Sequence, residues 1–366
     1  MMFDNSHYRD FDRPILIMIF LVFLFGLLVL FSATQAKGLP FSESYLWRQI
    51  NWMVIGAISL ILIINISYQK FIDLAYILYG INIIALILVL ILGHIRLGAQ
   101  RWFSIGAFTF QPSEFIKLNL ILVLSNYIGA RKEAMANLKS IFIPILLLAV
   151  PFVLVLMQPD LGTGILLLPI FFSMLFIGGA RLKHMIGLIF LGSASLPFLW
   201  NFLHEYQKQR LLVFVNPNID PLGAGYTIIQ SKIAIGSGGL FGKGWLSGTQ
   251  NQLNFLPERH TDFIFSVVGE EWGLLGGAIL IILYYLIVKR AFNIAASTSD
   301  MYGKSIATGI SAMLALQVII NIGMTIGLMP VVGIPLPLVS YGGSSLIATF
   351  IVMGLLLNVG MRRSMF

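Results

Sequence analysis

Two stretches of this chain, Pro14 to Ala36 and Gln49 to Gln69, carry no charged residue and consist mostly of large apolar ones. Few folds accept such runs. A hydrocarbon core of about 30 Å takes roughly 20 helical residues to cross. With no water to bond, backbone groups in lipid must pair within a helix or a closed barrel. Barrel strands alternate apolar and polar side chains over about ten residues, and these runs do not alternate. They read as transmembrane helices. Eight further segments follow, giving ten spans near 14–34, 49–67, 72–93, 112–129, 140–158, 162–179, 184–202, 264–288, 304–328 and 340–360. Composition agrees: 58% of residues are hydrophobic and 10% are charged, against about 25% charged in soluble domains.

The expected architecture is an all-α polytopic membrane protein of about ten transmembrane helices. One long extracytoplasmic loop joins spans seven and eight. Residues 1–366 read as a single membrane domain, with 203–263 as the loop within it. The net charge of +8 does not indicate nucleic acid, because the basic residues are scattered singly and form no basic face. Their distribution sets orientation instead. One set of connections holds Arg9, Arg13, Lys70, Arg131, Lys132, Lys139, Arg181, Lys183, Lys289, Arg290, Lys304, Arg362 and Arg363; the short loops of the other hold only Lys37, Arg48, Arg96 and Arg101. Lys and Arg accumulate on the cytoplasmic side, so both termini are expected in the cytoplasm and the long loop outside. The chain has no Cys, so packing rather than disulfides must hold that loop. No cleavable signal peptide is evident, since the first apolar run is a full span.

Chemistry concentrates in residues 204–262, which hold five Lys/Arg, two His and four carboxylates. Asp262, with Glu258, Arg259 and His260, sits where this loop re-enters the bilayer. A partly desolvated carboxylate among cations suits a general base; the competing role is an N-cap for span eight, from Thr261 or Asp262. Glu114 and Lys117 share a helix face at the start of span four, and ionisable groups inside a span are costly unless paired or functional. Glu270 and Glu271 lie within span eight, one expected to face a cavity or partner and the other free to snorkel. The run Gly236 to Gly244 fails the P-loop pattern, with Ser237 where Gly is required and Gly244 in place of Ser/Thr. It reads either as a backbone-amide nest for a phosphate or as a flexible turn after an interfacial helix, Tyr226 to Ile235, whose Ile228, Ile229, Ile233 and Ile235 could dip into headgroups. Met329 to Ser345, with three Pro and three Gly, reads as a re-entrant or cavity-lining segment. No zinc-protease or serine-triad pattern is present.

Several long motifs occur in order: Gly98-Ala-Gln-Arg-Trp102, Gln111-Pro-Ser-Glu114, Gln158-Pro-Asp160-Leu-Gly-Thr163, Asp220-Pro-Leu-Gly-Ala-Gly-Tyr226, Gln230 to Gly239, Gly248-Thr-Gln250, Phe255 to Phe263 and Pro335 to Gly343. With these the chain resembles, over essentially its full length, the SEDS family of bacterial cell-wall polymerases, and its rod-elongation branch more than its cell-division branch. The resemblance implies a peptidoglycan glycosyltransferase of the bacterial cytoplasmic (inner) membrane that polymerises lipid II during cell elongation. The family's essential outer-loop acid falls on Asp262, and its functional Glu and Lys of the fourth span fall on Glu114 and Lys117. The implied partners are the nascent glycan strand, a class B penicillin-binding transpeptidase (penicillin-binding protein 2-like) and other elongation-complex membrane proteins.

In such a reaction a sugar hydroxyl attacks the anomeric carbon of a glycosyl diphosphate. Diphosphate leaves without a general acid, so one carboxylate and some positive charge suffice, whereas glycoside hydrolases need two carboxylates. Candidates for holding substrate are Arg101, Gln111, Lys117, Arg210, Lys243 and His260, or a divalent cation such as Mg or Mn. The alternatives are a flippase for lipid II, which intramembrane charges and Pro-broken segments also suit, and a non-catalytic scaffold for a transpeptidase.

Overall fold

A computed structural model describes residues 11–35, 44–96, 99–105, 108–131, 134–201 and 203–363. Arg9, Lys37 and Lys132 of the charge pattern, and Gly98 of the first motif, lie outside the described residues. Each of the ten expected spans falls on a helix: α1 (Arg13–Gln35), α2 (Tyr45–Asn65), α4 (Ala75–Leu92), α5 (Pro112–Ala130), α6 (Leu138–Met157), α7 (Leu161–Ile177), α8 (Leu182–Trp200), α12 (Ile264–Ser297), α13 (Met301–Thr325) and α14 (Gly343–Met361). A short α3 (Tyr68–Asp73) precedes α4. Among the described residues, eight of these helices are long and apolar enough to cross a bilayer unaided. The other two are α7, with 17 residues, and α5, which carries Glu114 and Lys117 within its 19.

Local chemistry sets several of the boundaries. Ser44 caps α2 by accepting the Trp47 N–H at 3.1 Å, Asp160 caps α7 through Thr163, and Asp300 caps α13 through Gly303. Each supplies an oxygen to a first-turn amide that has no partner in its own helix. α5, α13 and α14 are buried along most of their length and pack with α2, α7 and α12. α8, by contrast, buries only Met185.

Three features depart from expectation. First, the fold is not purely helical. Between α4 and α5 the chain forms a three-stranded antiparallel sheet, β1 (His94–Arg96), β2 (Ala99–Ile105) and β3 (Phe108–Phe110), in the order β1-β2-β3. This meander brings Arg101 and Trp102 over the start of α5, where Trp102 Nε1 donates to Gln111 Oε1 at 3.1 Å.

Second, the long loop contains α9 (Glu205–Val215), α10 (Ala224–Gly238) and a one-turn α11 (Thr249–Gln252), and α10 does not stand apart from the bundle. It packs against α12, with Ile228 and Ser231 buried and Ile235 against Gly269, leaving Ile233 exposed.

Third, the Gly-rich run is neither a phosphate nest nor a free turn. α12 breaks at Gly273, whose φ is 63°, and the run is stitched into the break. Lys243 and Gly244 N–H donate to the Glu270 and Glu271 carbonyls at 3.0 and 3.1 Å, and Leu274 and Leu275 N–H donate to the Gly239 and Leu240 carbonyls at 2.9 and 3.1 Å. The backbone groups freed by the break are thereby paired, which lipid demands. A Cβ at Gly242 would run into the Glu271 carbonyl, and one at Gly273 into the Gly242 amide, so the seam needs glycine on both sides.

Candidate active site

Asp262 ends a tight turn, Glu258 to Phe263, closed by Thr261 and Phe263 N–H donating to the Glu258 carbonyl at 3.1 and 3.2 Å. Glu258 takes a φ of 50° to make this turn. Thr261 Oγ1 donates to Glu258 Oε2 at 3.0 Å. The cap position of α12 belongs to Phe263, with no side-chain cap bond, so neither Thr261 nor Asp262 is engaged as an N-cap. Among the described residues the Asp262 carboxylate accepts no hydrogen bond. It keeps partial access to solvent, yet it is deeply crowded by protein. That desolvation, aided by the nearby Glu258 and Asp160 carboxylates and opposed by Arg210 and Arg101, pushes its carboxyl up to about 6.

Arg210 reaches the same point from α9. Its Nη1 and Asp262 Oδ2 lie 4.0 and 3.2 Å from where a Cβ on Gly333 would stand. Gly333, with φ 73°, lets the Pro-rich segment pass between them. That segment, 329–342, is irregular and largely buried by protein, the condition under which such backbone is tolerated at membrane depth. Arg210 is fastened only lightly, donating to the Val331 carbonyl at 3.4 Å with its guanidinium 5.6 Å from the Tyr206 ring centre. Tyr206 in turn donates to the Pro159 carbonyl at 2.6 Å.

Arg101 is held more firmly. Nε and Nη2 donate to the Gln158 and Pro159 carbonyls at 3.2 and 2.7 Å, and Nη1 is 3.6 Å from Asp160 Oδ1. Asp160, 2% exposed, also accepts from Ser113 Oγ and Thr163 Oγ1, both at 2.9 Å. Gln111 Nε2 joins Ser113 Oγ at 2.9 Å. One turn further along α5, Lys117 Nζ meets Glu114 Oε2 at 2.9 Å, both side chains buried. Each charge is neutralised by the other, as burial requires.

Arg101, Arg210 and Gln111 therefore converge with Asp262 around Asp160, and Glu114–Lys117 forms a separate pair beneath. His260 sits among aromatic rings, 4.7 Å from Tyr45 and 6.0 Å from Tyr341 between centroids. Lys243 goes elsewhere: its ammonium contacts Glu270 Oε1 at 2.9 Å. Glu270 also accepts from Gln250 and Asn251 N–H at 2.9 and 3.2 Å. Glu271 accepts from Ser32 Oγ at 2.6 Å and Asn251 Nδ2 at 3.1 Å. Both acids are buried, at 0% and 2% exposed, so neither snorkels. Asp160 is absent from the expected set of site residues. Its signal in the sequence is an acid directly before an apolar run, which reads as a helix cap and masks its second engagement with Arg101. No group of three or more His, Asp or Glu among the described residues is placed to hold a metal ion.

Comparison with known proteins places the chain in a family. The family described as a cell cycle protein, FtsW/RodA/SpoVE, matches residues 12–365. The peptidoglycan glycosyltransferase MrdB of Escherichia coli (strain K12) is 42% identical over 371 residues, spanning 100% of this chain and 99% of the relative. A chain from a solved structure on structural coordination of polymerization and crosslinking by a peptidoglycan synthase complex superposes with a TM-score of 0.83 at 36% identity, covering 97% of this chain and 99% of that one. The crystal structure of the rod shape determining protein RodA of Thermus thermophilus superposes with a TM-score of 0.73 at 32% identity, covering 97% and 98%. The chain is a multi-pass membrane protein and belongs to the FtsW/RodA/SpoVE family.

Proposed function

We infer that this chain is a peptidoglycan glycosyltransferase that polymerises lipid II with Asp262 as general base. The observation that carries the site is the Asp262 carboxylate itself: among the described residues it has no hydrogen-bond partner, it is pushed up to about 6, and it sits beside a lightly held cation at the start of a span. A base works best with its pKa near the working pH and with free lone pairs. The activity follows from relatives named peptidoglycan glycosyltransferases across the full length of the chain.

In this reading the acceptor's GlcNAc 4-hydroxyl gives its proton to Asp262 while its oxygen attacks the anomeric carbon of the donor from the face opposite the diphosphate. The new glycosidic bond forms with inversion. The C–O bond to the diphosphate breaks, and polyprenyl diphosphate leaves with the electron pair. Positive charge must then balance the developing negative charge. Arg210 suits this role best: Arg101 is bound by two carbonyls and Asp160, Lys117 by Glu114, and Lys243 by Glu270. Glu114 and Lys117 act as a pair beneath the site. Magnesium-type ions bind through one or two carboxylates together with substrate phosphates; Asp262 and Glu258 could contribute to such a set with the diphosphate present, and among the described residues no three His, Asp or Glu gather into a metal site. The Lys/Arg distribution supports cytoplasmic termini in the bacterial cytoplasmic membrane. The similarity to a chain of a peptidoglycan synthase complex supports a class B penicillin-binding transpeptidase as partner.

The test is polymerisation by the purified protein given lipid II. The wild type is expected to make glycan, and Asp262→Asn, with a melting temperature no lower than wild type, to lose activity by about 10²–10⁴-fold. A fully active Asn variant would remove Asp262 as the base, whereas lipid II movement across vesicles without any polymer from the wild type would favour the flippase.

A further inference from the structure

A base that must stay free to accept a proton cannot be held in place by hydrogen bonds to its own carboxylate. Asp262 is in that position among the described residues, so its placement has to come from its backbone. Three consecutive carbonyls around it are each held by the C-terminal part of the chain. The His260 carbonyl accepts from Tyr341 N–H at 2.9 Å. The Thr261 carbonyl accepts from Ser340 Oγ at 2.6 Å. The Asp262 carbonyl accepts from Asn321 Nδ2 at 3.0 Å.

Two of these donors are side chains that also hold the opposite wall of the site. The amide of Asn321, in α13, donates at 2.7 Å to the Ile334 carbonyl as well. Ser340 Oγ accepts from Leu336 N–H at 2.8 Å while it donates to Thr261. Ser340 is itself anchored, its carbonyl accepting from Gln49 Nε2 at 3.0 Å. Each side chain thus spans from the turn that carries Asp262 to the segment that carries Gly333, which packs against the same carboxylate. Asn321 is 0% exposed within a span. An amide there is costly unless it is used.

We infer that Asn321 and Ser340 are positioning residues for the transfer reaction: they set the distance between the Asp262 carboxylate and the wall formed by residues 331–336. The inference rests on Asp262 being the base. The chemistry needs little movement to fail, since a misplacement of about 1 Å in a reacting group can cost about 10²-fold in rate. The two residues act through Asp262 and touch neither the donor nor the acceptor, so their loss should fall on turnover rather than on substrate binding.

The experiment uses full-length purified Asn321→Ala, Ser340→Ala, Ser340→Thr and Asp262→Asn proteins with lipid II. Melting temperature, kcat, KM and the pH dependence of kcat are read for each. For Asn321→Ala the expected result is a fall in kcat of about 10²-fold with KM within about two-fold, and for Ser340→Ala a fall of roughly ten-fold. Ser340→Thr, which keeps the hydroxyl, should recover most of the turnover. A looser turn lets water reach Asp262, so the acidic limb of the kcat profile should move to lower pH by roughly one unit. Loss of packing elsewhere would not move that limb. Wild-type kcat and an unmoved limb in a folded Ser340→Ala protein, with Asp262→Asn inactive, would overturn this inference and leave the base assignment standing. An active Asp262→Asn protein would overturn both. If Asn321→Ala does not fold, the three remaining variants decide the matter alone.

Discussion

Asp262 and Glu270 are eight positions apart, one just before α12 and the other within its first turns, and they are opposite solutions to the same difficulty. Each is an acid largely withdrawn from water. Glu270 is answered on every side, by the Lys243 ammonium, the Thr249 hydroxyl and two backbone amides. Asp262 has cations in its field but no hydrogen-bond donor on its carboxylate oxygens among the described residues. Fully satisfied buried acids tie elements together; an acid left open keeps its lone pairs for a substrate. Burial alone does not separate structure from chemistry here. The number of lone pairs already occupied does.

The contrast breaks most directly by exchanging what each acid loses. Asp262→Asn should lower polymerisation by about 10²–10⁴-fold, while stability in detergent is no lower than wild type, since the neutral amide has no charge to desolvate. Glu270→Ala should do the reverse. It strands a half-buried ammonium and two amides, at a cost of about 3–5 kcal/mol, while the folded fraction keeps turnover within a few-fold. A Glu270→Ala protein of normal stability and no activity would make the two acids one site.

Lys243 sharpens the same comparison with a smaller effect. Lys243→Met should lower stability by about 1–3 kcal/mol, by unpairing Glu270, and leave KM for lipid II nearly unchanged. A large rise in KM at full stability would instead return Lys243 to the diphosphate. The smallest effect concerns pH. The acidic limb of kcat/KM should lie near 6, because only ionised Asp262 can take a proton. Glu258→Gln removes a neighbouring negative charge and should shift the limb down; Arg210→Met removes a positive one and should shift it up, each by roughly one unit or less. The same upward shift has a sign for stability. Asp262 contributes most to the fold when protonated, below the ordinary carboxylate range, and that contribution is lost as pH rises through about 6. A stability profile rising over that window would contradict the desolvation of Asp262.

The sequence made the spans legible because uncharged runs of helical length have one outcome in lipid. It made Asp262, Glu114 and Lys117 legible because charges at or inside a span are expensive and therefore few. What it concealed are pairings between distant segments. Nothing in Gly236–Gly244 announces that its partner is a break at Gly273, since a glycine inside an apolar helix usually costs only about 1 kcal/mol and leaves the helix intact. Glu270 and Glu271 looked like candidates for a cavity because their neutralising groups, Ser32, Lys243 and Asn251, come from a different span and from mid-loop. The β meander was hidden by its brevity. Asp160 stood in the sequence only as part of a motif between two spans; its cap on α7 and its engagement with Arg101 both depend on a partner that the fold brings in.

The seam at Gly273 also changes what kind of object the outer segment is. At about 1.5 Å per residue, the 34 residues of α12 would make a rod of about 51 Å, far beyond one bilayer; the break divides it into an outer piece and a crossing piece. The segment between spans seven and eight is fastened at its midpoint as well as at its ends, so it is two short bridges and not one tether. A protease nick at the exposed Leu253 would therefore yield two peptides still gripping one another through strand-like bonds at residues 239–244. Together with the packing of α13 and α14 on α2, α5 and α7, these bonds would keep the two peptides one particle in mild detergent, with the outer piece of α12 still seated on the loop; they would come apart only on denaturation.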